Sequence, residues 1–356
     1  MKRYKQNPDF LHLGERLLQW YKINARELDW RFSKSPYNIW ISEIILQQTQ
    51  VEQGLPYYQR FIERFSNVEA LAEASMDEVL LYWKGLGYYS RALNLHKAAQ
   101  QIVNDFGGQF PSSSEGLEAL RGVGKYTAAA IASICYGEAV PAVDGNFYRV
   151  LSRLFADDFD ISSSKSFNYF SNLAYRIMPP HAAGDFNQAI MDLGATVCTP
   201  KKALCEECPF MQDCLSFQAG KVYDYPVKTK KTKVSDEILH YYYIEKDGSF
   251  LIKKRGTEGI WKNLFDLPQL LNEKEEYNII YRKEIKHKLS HRNLTLVIDV
   301  VDIRDERMFK DLVSINNALV MTKEELSKYS FPKPIDSFLH QYLNANVEAE
   351  QGRFIF

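Results

Sequence analysis

Four of the five cysteines fall in one short window, Cys198, Cys205, Cys208 and Cys214, spaced C-x6-C-x2-C-x5-C. Thiols clustered in this way in a cytosolic chain read as a metal site, not as disulfides. Zinc and an iron–sulfur cluster each take four thiolates. The spacing lacks the two C-x2-C pairs usual for a zinc ribbon, and by itself it leaves the metal open. The fifth cysteine, Cys135, sits in an apolar helical stretch and is expected in the core.

Two carboxylates also stand where chemistry is possible. Glu43 lies in IWISEIILQQTQV, with Ile39, Trp40, Leu46 and Gln47 one helical turn away. Such neighbours partly desolvate a carboxyl and raise its pKa, which suits a proton donor near neutral pH. The competing reading is a solvated glutamate early in a helix. Asp144, in VPAVDGNFYRVLSRL, stands just ahead of a helix that begins near Asn146. Asp is a favoured N-cap and Asp-Gly a common turn, so capping alone would account for it. A capping carboxylate stays ionised, however, and could face a developing cation.

The third constellation is the turn Gly122-Val123-Gly124 ahead of an Ala-rich helical run from Lys125 to about Tyr136. Two glycines let main-chain N–H groups approach a ligand, and the helix start adds unpaired donors and a positive dipole end. A phosphate fits there, with Lys125 adding charge. An ordinary helix-turn-helix connection would look the same.

These residues need elements to hold them. Residues 9–25 are predicted as an amphipathic helix through Leu11, Leu17, Leu18 and Tyr21. LDWRFSKSPYN reads as a loop. Ser35 is a candidate N-cap with Pro36 at the first helical position, and a helix is expected from about Tyr37 to Val51. From Tyr57 to Leu215 short helices follow one another between Gly, Pro and Ser breaks, so the first part is all-α. KVYDYPVKTKKTKVSDE is Lys-rich, without apolar periodicity, and reads as a linker. Beyond it, Ile238–Ile244 and Ser249–Lys254 are strand-like around an Asp247-Gly248 turn signal. Leu294–Val301 is a further strand and Asp336–Leu343 a helix, which makes the second part α+β.

Composition sets the outer bounds. At 356 residues with 46% hydrophobic content, two domains with ordinary cores are expected. Net charge is −1, so any nucleic-acid contact must come from a local face. No apolar run approaches a membrane span, and MKRYKQNPDF has no apolar signal core. The expectation is a cytoplasmic protein without a membrane partner.

Taken together, WRFSKSPYNIWISEIILQQTQV, KGLGYYSRA, LRGVGKYTAAAI, VPAVDGNFYRVLSRL, FNQAIMDLGATVCTP and the four-cysteine spacing resemble the helix-hairpin-helix DNA glycosylase superfamily that includes endonuclease III. Within it the chain is most similar to the adenine DNA glycosylase (MutY) family. The resemblance spans nearly the whole chain. It implies an all-α glycosylase domain over residues 1–216 with an iron–sulfur loop at 198–214, a linker at 217–235 and a Nudix-like domain at 236–356. It implies one 4Fe–4S cluster on the four cysteines. The implied substrate is adenine opposite 8-oxoguanine, or opposite guanine, in double-stranded DNA, removed by base excision.

The resemblance also implies roles. Glu43 matches the acid that protonates adenine N7, and Asp144 the carboxylate that stabilises an oxocarbenium-like sugar, in line with the two-carboxylate logic of glycoside cleavage. Tyr126 sits where strand-cleaving relatives carry a Schiff-base lysine, which implies a monofunctional enzyme. Asn146 supports Asp144. Trp30, Arg31 and Gln188 surround the flipped adenine, and Gln48 and Tyr88 wedge into the stack. Gly122, Gly124 and Lys125 belong to the DNA-gripping turn. A buried core tyrosine competes at Tyr88, and core packing competes at Trp30.

In the second part GIWKNLFDLP resembles the Nudix-like domain, but NEKEEYNIIYRKEI lacks the metal-binding Nudix box, so nucleotide hydrolysis is not expected. KHKLSHRNL matches the loop that contacts 8-oxoguanine, with Ser290 as its hydrogen-bonding residue and His291 as a second contact. Leu289 stands where the family usually has an aromatic, and Asp29 where it usually has a proline. Two other readings are carried: a glycosylase of this fold with another base preference, and a non-catalytic iron–sulfur DNA-binding module.

Overall fold

The computed structural model describes residues 10–230 and 233–350, with side chains to residue 344. The first residue of the expected N-terminal helix, two residues of the expected linker and the last six of the C-terminal domain lie outside the described residues. Contacts divide the chain into two units, Met1–Glu73 with Asn94–Lys231, and Ala74–Leu93 with Thr232–Phe356.

The helices begin with α1 (Leu11–Asn24), α2 (Pro36–Leu46), α3 (Val51–Arg64), α4 (Val68–Glu73), α5 (Met76–Trp83) and α6 (Ser90–Phe106). They continue as α7 (Ser114–Glu118), α8 (Lys125–Tyr136), α9 (Gly145–Phe155), α10 (Ser166–Tyr175), α11 (Ala183–Thr196) and α12 (Leu215–Gln218). In this first unit α1, α9, α10 and α11 bury Leu17, Phe147, Leu151, Phe170, Phe186 and Leu193 in one core. The helical spacing of Leu13, Leu17 and Leu18 in α1 explains which face turns inward.

Ser35 caps α2 by accepting the Asn38 N–H at 3.4 Å, with Pro36 at the first position. The helix does not reach Val51. It stops at Leu46, Gln48 takes a left-handed backbone at φ +58°, and α3 starts at Val51. No Gly or Pro announces this break. The reason is tertiary: α3 packs so closely on α2 that a Cβ on Gly54 would lie 2.7 Å from Leu46 Cδ2. Cys135 is half-buried rather than a core residue, because it lies in the last turn of α8.

The segment expected as a linker is tied to the first unit up to Lys230. Ile161 N–H bonds Val227 O at 3.0 Å, and Asp160 accepts from the Thr229 N–H and hydroxyl. The partner lies far away in sequence, so composition could not signal it.

The second unit contains a mixed sheet of β1 (Ser235–Lys246), β2 (Ser249–Lys254), β3 (Phe265–Asp266), β4 (Ile279–Lys288), β5 (Arg292–Asp302) and β6 (Leu319–Thr322). The helices α13 (Glu306–Asn316) and α14 (Lys333–Glu350) accompany it, and α5 belongs to the same unit. Strand order is β3-β2-β1-β5-β4, with β6 also on β2. Asp247 at φ +49° and Gly248 at φ +77° make the expected hairpin turn between β1 and β2. Strand β1 runs parallel to β5, with Ser235 opposite Arg292, and Tyr241 and Tyr243 face the core. Strand β4 went unread in the sequence. It is an edge strand exposed on both faces over its first half, so it carries no alternation.

Candidate active site

Within the first unit, Trp30, Arg31, Glu43, Tyr126, Asp144, Asn146 and Gln188 line a single open cleft. Five elements meet there: the 3-10 turn Asp29–Phe32, α2, α8, α9 and α11. These residues are spread along the sequence from Trp30 to Gln188, and the fold collects them.

Glu43 is half-buried in the cleft wall. Burial pushes its carboxyl up to about 7, helped by the negative charge of Asp144 and opposed by a hydrogen bond with Tyr126 and by Arg31. Tyr126 is held neutral. Burial first, then the Glu43 and Asp144 charges, raise its phenol well above the usual range. A neutral phenol beside Glu43 can donate to it, but has no amine chemistry.

Asp144 is the N-cap of α9. Its Oδ1 accepts the Asn146 and Phe147 N–H groups, each at 2.9 Å, and its Oδ2 accepts Asn146 Nδ2 at 2.7 Å. Burial raises its pKa, while these three bonds and Arg149 pull it back towards the ionised form. The cap expected from the sequence is made. Arg149 fixes Asn146 in turn, donating from Nη2 to Asn146 Oδ1 at 2.8 Å and to Gly194 O at 2.7 Å. Gly194 permits the approach, since a Cβ there would lie 2.6 Å from Asn146 Oδ1. Arg149 and Gly194 were missed in the sequence. The i, i+3 spacing of Asn146 and Arg149 was the available signal.

Trp30 is buried and stacks edge-on against Tyr58 at 5.2 Å, so it is both packed and part of the cleft wall. Asp29 takes the first position of the 3-10 turn and accepts from Gln59 Nε2 at 2.8 Å, which ties that turn to α3.

Gly122 adopts φ +76°, and a Cβ there would meet Asn94 Cβ at 2.5 Å, so this glycine is obligatory. Gly124 precedes α8 with open space around it, and no side chain caps that helix. Lys125 does not point into solvent alone; its ammonium lies 5.2 Å from the Phe167 ring centroid. Gln48 in the first unit and Tyr88 in the second are both exposed with left-handed backbones, at φ +58° and +47°. Tyr88 is 51% exposed, which removes the reading as a core tyrosine.

Cys198, Cys205, Cys208 and Cys214 line one small cavity together with Arg153, Val197 and Val222. Arg153, itself buried, holds the loop by donating from Nη1 to Thr199 O at 2.8 Å and to Cys198 Sγ at 3.4 Å. Among the described residues no three such groups stand close enough to hold a single metal ion. In the second unit Ser290 and His291 form the exposed tip between β4 and β5, with Ser290 Oγ 3.2 Å from His291 Nδ1. Leu289 turns inward and packs on the core.

Residues 41–174 match the HhH-GPD superfamily of base excision DNA repair proteins, and residues 240–341 match the NUDIX domain. An adenine DNA glycosylase from Buchnera aphidicola subsp. Schizaphis graminum is 34% identical over 336 residues, covering 91% of this chain and 96% of that protein. The human adenine DNA glycosylase is 44% identical over 211 residues, 57% of this chain and 39% of its own length. Among solved structures, a thermostable thymine-DNA glycosylase is 29% identical with a TM-score of 0.54, over 58% of this chain and 96% of its own. A trapped endonuclease III–DNA covalent intermediate, 19% identical, has a TM-score of 0.51 over 59% of this chain and 95% of its own, and shares the fold. No helix among the described residues is long and apolar enough to cross a membrane. The chain belongs to the adenine DNA glycosylase family: it is a base-excision repair enzyme that acts on DNA and hydrolyses the N-glycosyl bond of adenine.

Proposed function

We propose that the enzyme is a monomer that removes adenine lying opposite 8-oxoguanine, and opposite guanine, by a monofunctional hydrolysis in this cleft. The carrying observation is a carboxyl raised to about 7, Glu43, sharing one cleft with the hydrogen-bonded carboxylate Asp144. Adenine must leave the helix to reach such a cleft, and Gln48, exposed on the same unit, is suited to fill the gap. Glu43 donates its proton to adenine N7. The C1′–N9 bond breaks with its electron pair going to the base, and the sugar is left with positive charge at C1′. Asp144, oriented by Asn146 and the start of α9, faces that charge. Water then adds at C1′ and releases a proton. Tyr126 supplies no amine, so no imine to the sugar forms at that position.

The four thiols around one cavity, with a buried arginine donating to one of them, fit the ligand set of a 4Fe–4S cluster. Cys198, Cys205, Cys208 and Cys214 would hold it, and its contribution would be to fold residues 198–214, presenting the exposed Lys201 and Lys202 to phosphate.

The test is single-turnover excision from A:8-oxoguanine and A:G duplexes. Glu43→Gln should keep duplex affinity and lose excision by about 10²–10⁴-fold. In the unaltered enzyme the rate should fall as pH rises through about 7, because only protonated Glu43 can donate. Near-normal excision by Glu43→Gln would refute the acid role.

A further inference from the structure

One heavily bonded carboxylate of the first unit does not line the cleft. Asp192 sits on α11 behind the wall, its side chain 1% exposed. Its Oδ1 accepts Arg26 Nε at 2.8 Å, Arg26 Nη2 at 2.7 Å and Arg31 Nη2 at 2.8 Å. Its Oδ2 accepts the Arg26 N–H at 3.0 Å and Arg31 Nη1 at 2.6 Å. Both arginines do line the cleft, and Arg31 lies over the Tyr21 ring at 5.6 Å. Arg31 Nη1 also bonds Arg26 O at 3.0 Å, so the stretch from Arg26 to Arg31 closes into a loop around one buried carboxylate. Trp30 and Arg31, at the cleft end of that loop, have no regular element longer than one 3-10 turn to hold them.

We infer that Asp192 is a positioning residue for adenine excision: it locks the loop carrying Trp30 and Arg31 against α11 and so fixes the Arg31 guanidinium in the cleft that Glu43 also lines. A planar guanidinium bound in fork fashion by a carboxylate has one orientation, which an ammonium or a lone arginine lacks. Both terminal nitrogens of Arg31 are used in this way, so its charge reaches Glu43 from a fixed position. The inference rests on the proposal that excision takes place in this cleft.

The experiment separates duplex affinity from the single-turnover rate of adenine release on an A:8-oxoguanine duplex, with the full chain. Asp192→Asn should leave affinity little changed and lower the rate by about 10²-fold, the loss that a misplacement of roughly 1 Å brings. Arg31→Met should lose a similar factor, and the double variant should lose no more than either, because the two act as one unit. Losses that multiply in the double variant, or a rate per folded molecule equal to wild type in Asp192→Asn, would overturn the inference. If Asp192→Asn does not fold, Arg31→Lys keeps the charge without the fork and should lose rate in folded protein; a wild-type rate there would overturn it equally. Glu43→Gln in parallel distinguishes the two readings. Active Glu43→Gln sinks the cleft itself, whereas inactive Glu43→Gln with fast Asp192→Asn sinks only the role of Asp192.

Discussion

Glu43 shows how one residue couples chemistry to stability. Its folded pKa of about 7 exceeds the ordinary 4.5, so between those values the folded chain binds the extra proton. Stability therefore falls as pH rises from about 4.5 to 7 and stays reduced above. The cost arises because a carboxylate is being forced into a wall where burial outweighs Arg31 and the Tyr126 hydrogen bond. Glu43→Gln removes the titration. Above pH 7 the variant should be more stable than wild type by on the order of 1–3 kcal/mol, and near pH 4 the two should coincide. Thermal melts at both pH values check this; a constant difference across pH would contradict a raised Glu43.

At the scale of elements, two short segments do more than their length suggests. The first is the break between α2 and α3. It leaves Gln48 exposed in a left-handed conformation that costs a non-glycine residue about 1–2 kcal/mol, held by the close contact of the two helices. The second is the loop from Cys198 to Cys214, which has only a 3-10 turn of its own and leans on Arg153 of α9. Such a loop needs an internal anchor. Protein purified without oxygen should contain iron rather than stoichiometric zinc and absorb broadly in the visible blue. Cys198→Ser should lose that absorbance and make residues 198–214 susceptible to protease. Stoichiometric zinc without iron would refute the cluster.

For the whole molecule the informative fact is that the two units are not consecutive. Ala74–Leu93, carrying Tyr88, belongs with the C-terminal unit, where Lys84 pairs with Asp336 at 2.7 Å and Lys254 with Asp77 at 2.6 Å. Deleting residues 235–356 would strip that segment of its partners, so a truncation would test more than the proposed lesion recognition. A point change at the β4–β5 tip is the cleaner probe. Ser290 is exposed and its hydroxyl can donate and accept, so it could read the C8 oxygen or the N7–H of 8-oxoguanine. A neutral hydrogen bond contributes about 0.5–1.5 kcal/mol, or roughly 2–13-fold. Ser290→Ala should lower the ratio of A:8-oxoguanine to A:G excision by that factor; an unchanged ratio would remove Ser290 from recognition.

The sequence by itself determined the parts whose signal is local. Ser35-Pro36 starts α2 because the hydroxyl and the ring satisfy the requirements of a first turn within four residues. Asp144 caps α9, and Asp247-Gly248 turns β1 into β2, for equally short-range reasons. The apolar neighbours of Glu43 and the clustered thiols were legible as residue types in one stretch. Only the tertiary structure decided the rest. The end of α2 at Leu46 depends on α3, the pinning of Thr229 depends on Asp160, and the exposure of Tyr88 depends on what does not cover it. Asp192 is the clearest case. In FNQAIMDLGATV it reads as one acid on an apolar helix, and its partners at Arg26 and Arg31 lie more than 160 positions earlier. A buried charge is tolerable only where opposite charges meet it, and that meeting is a property of the folded chain rather than of any segment of it.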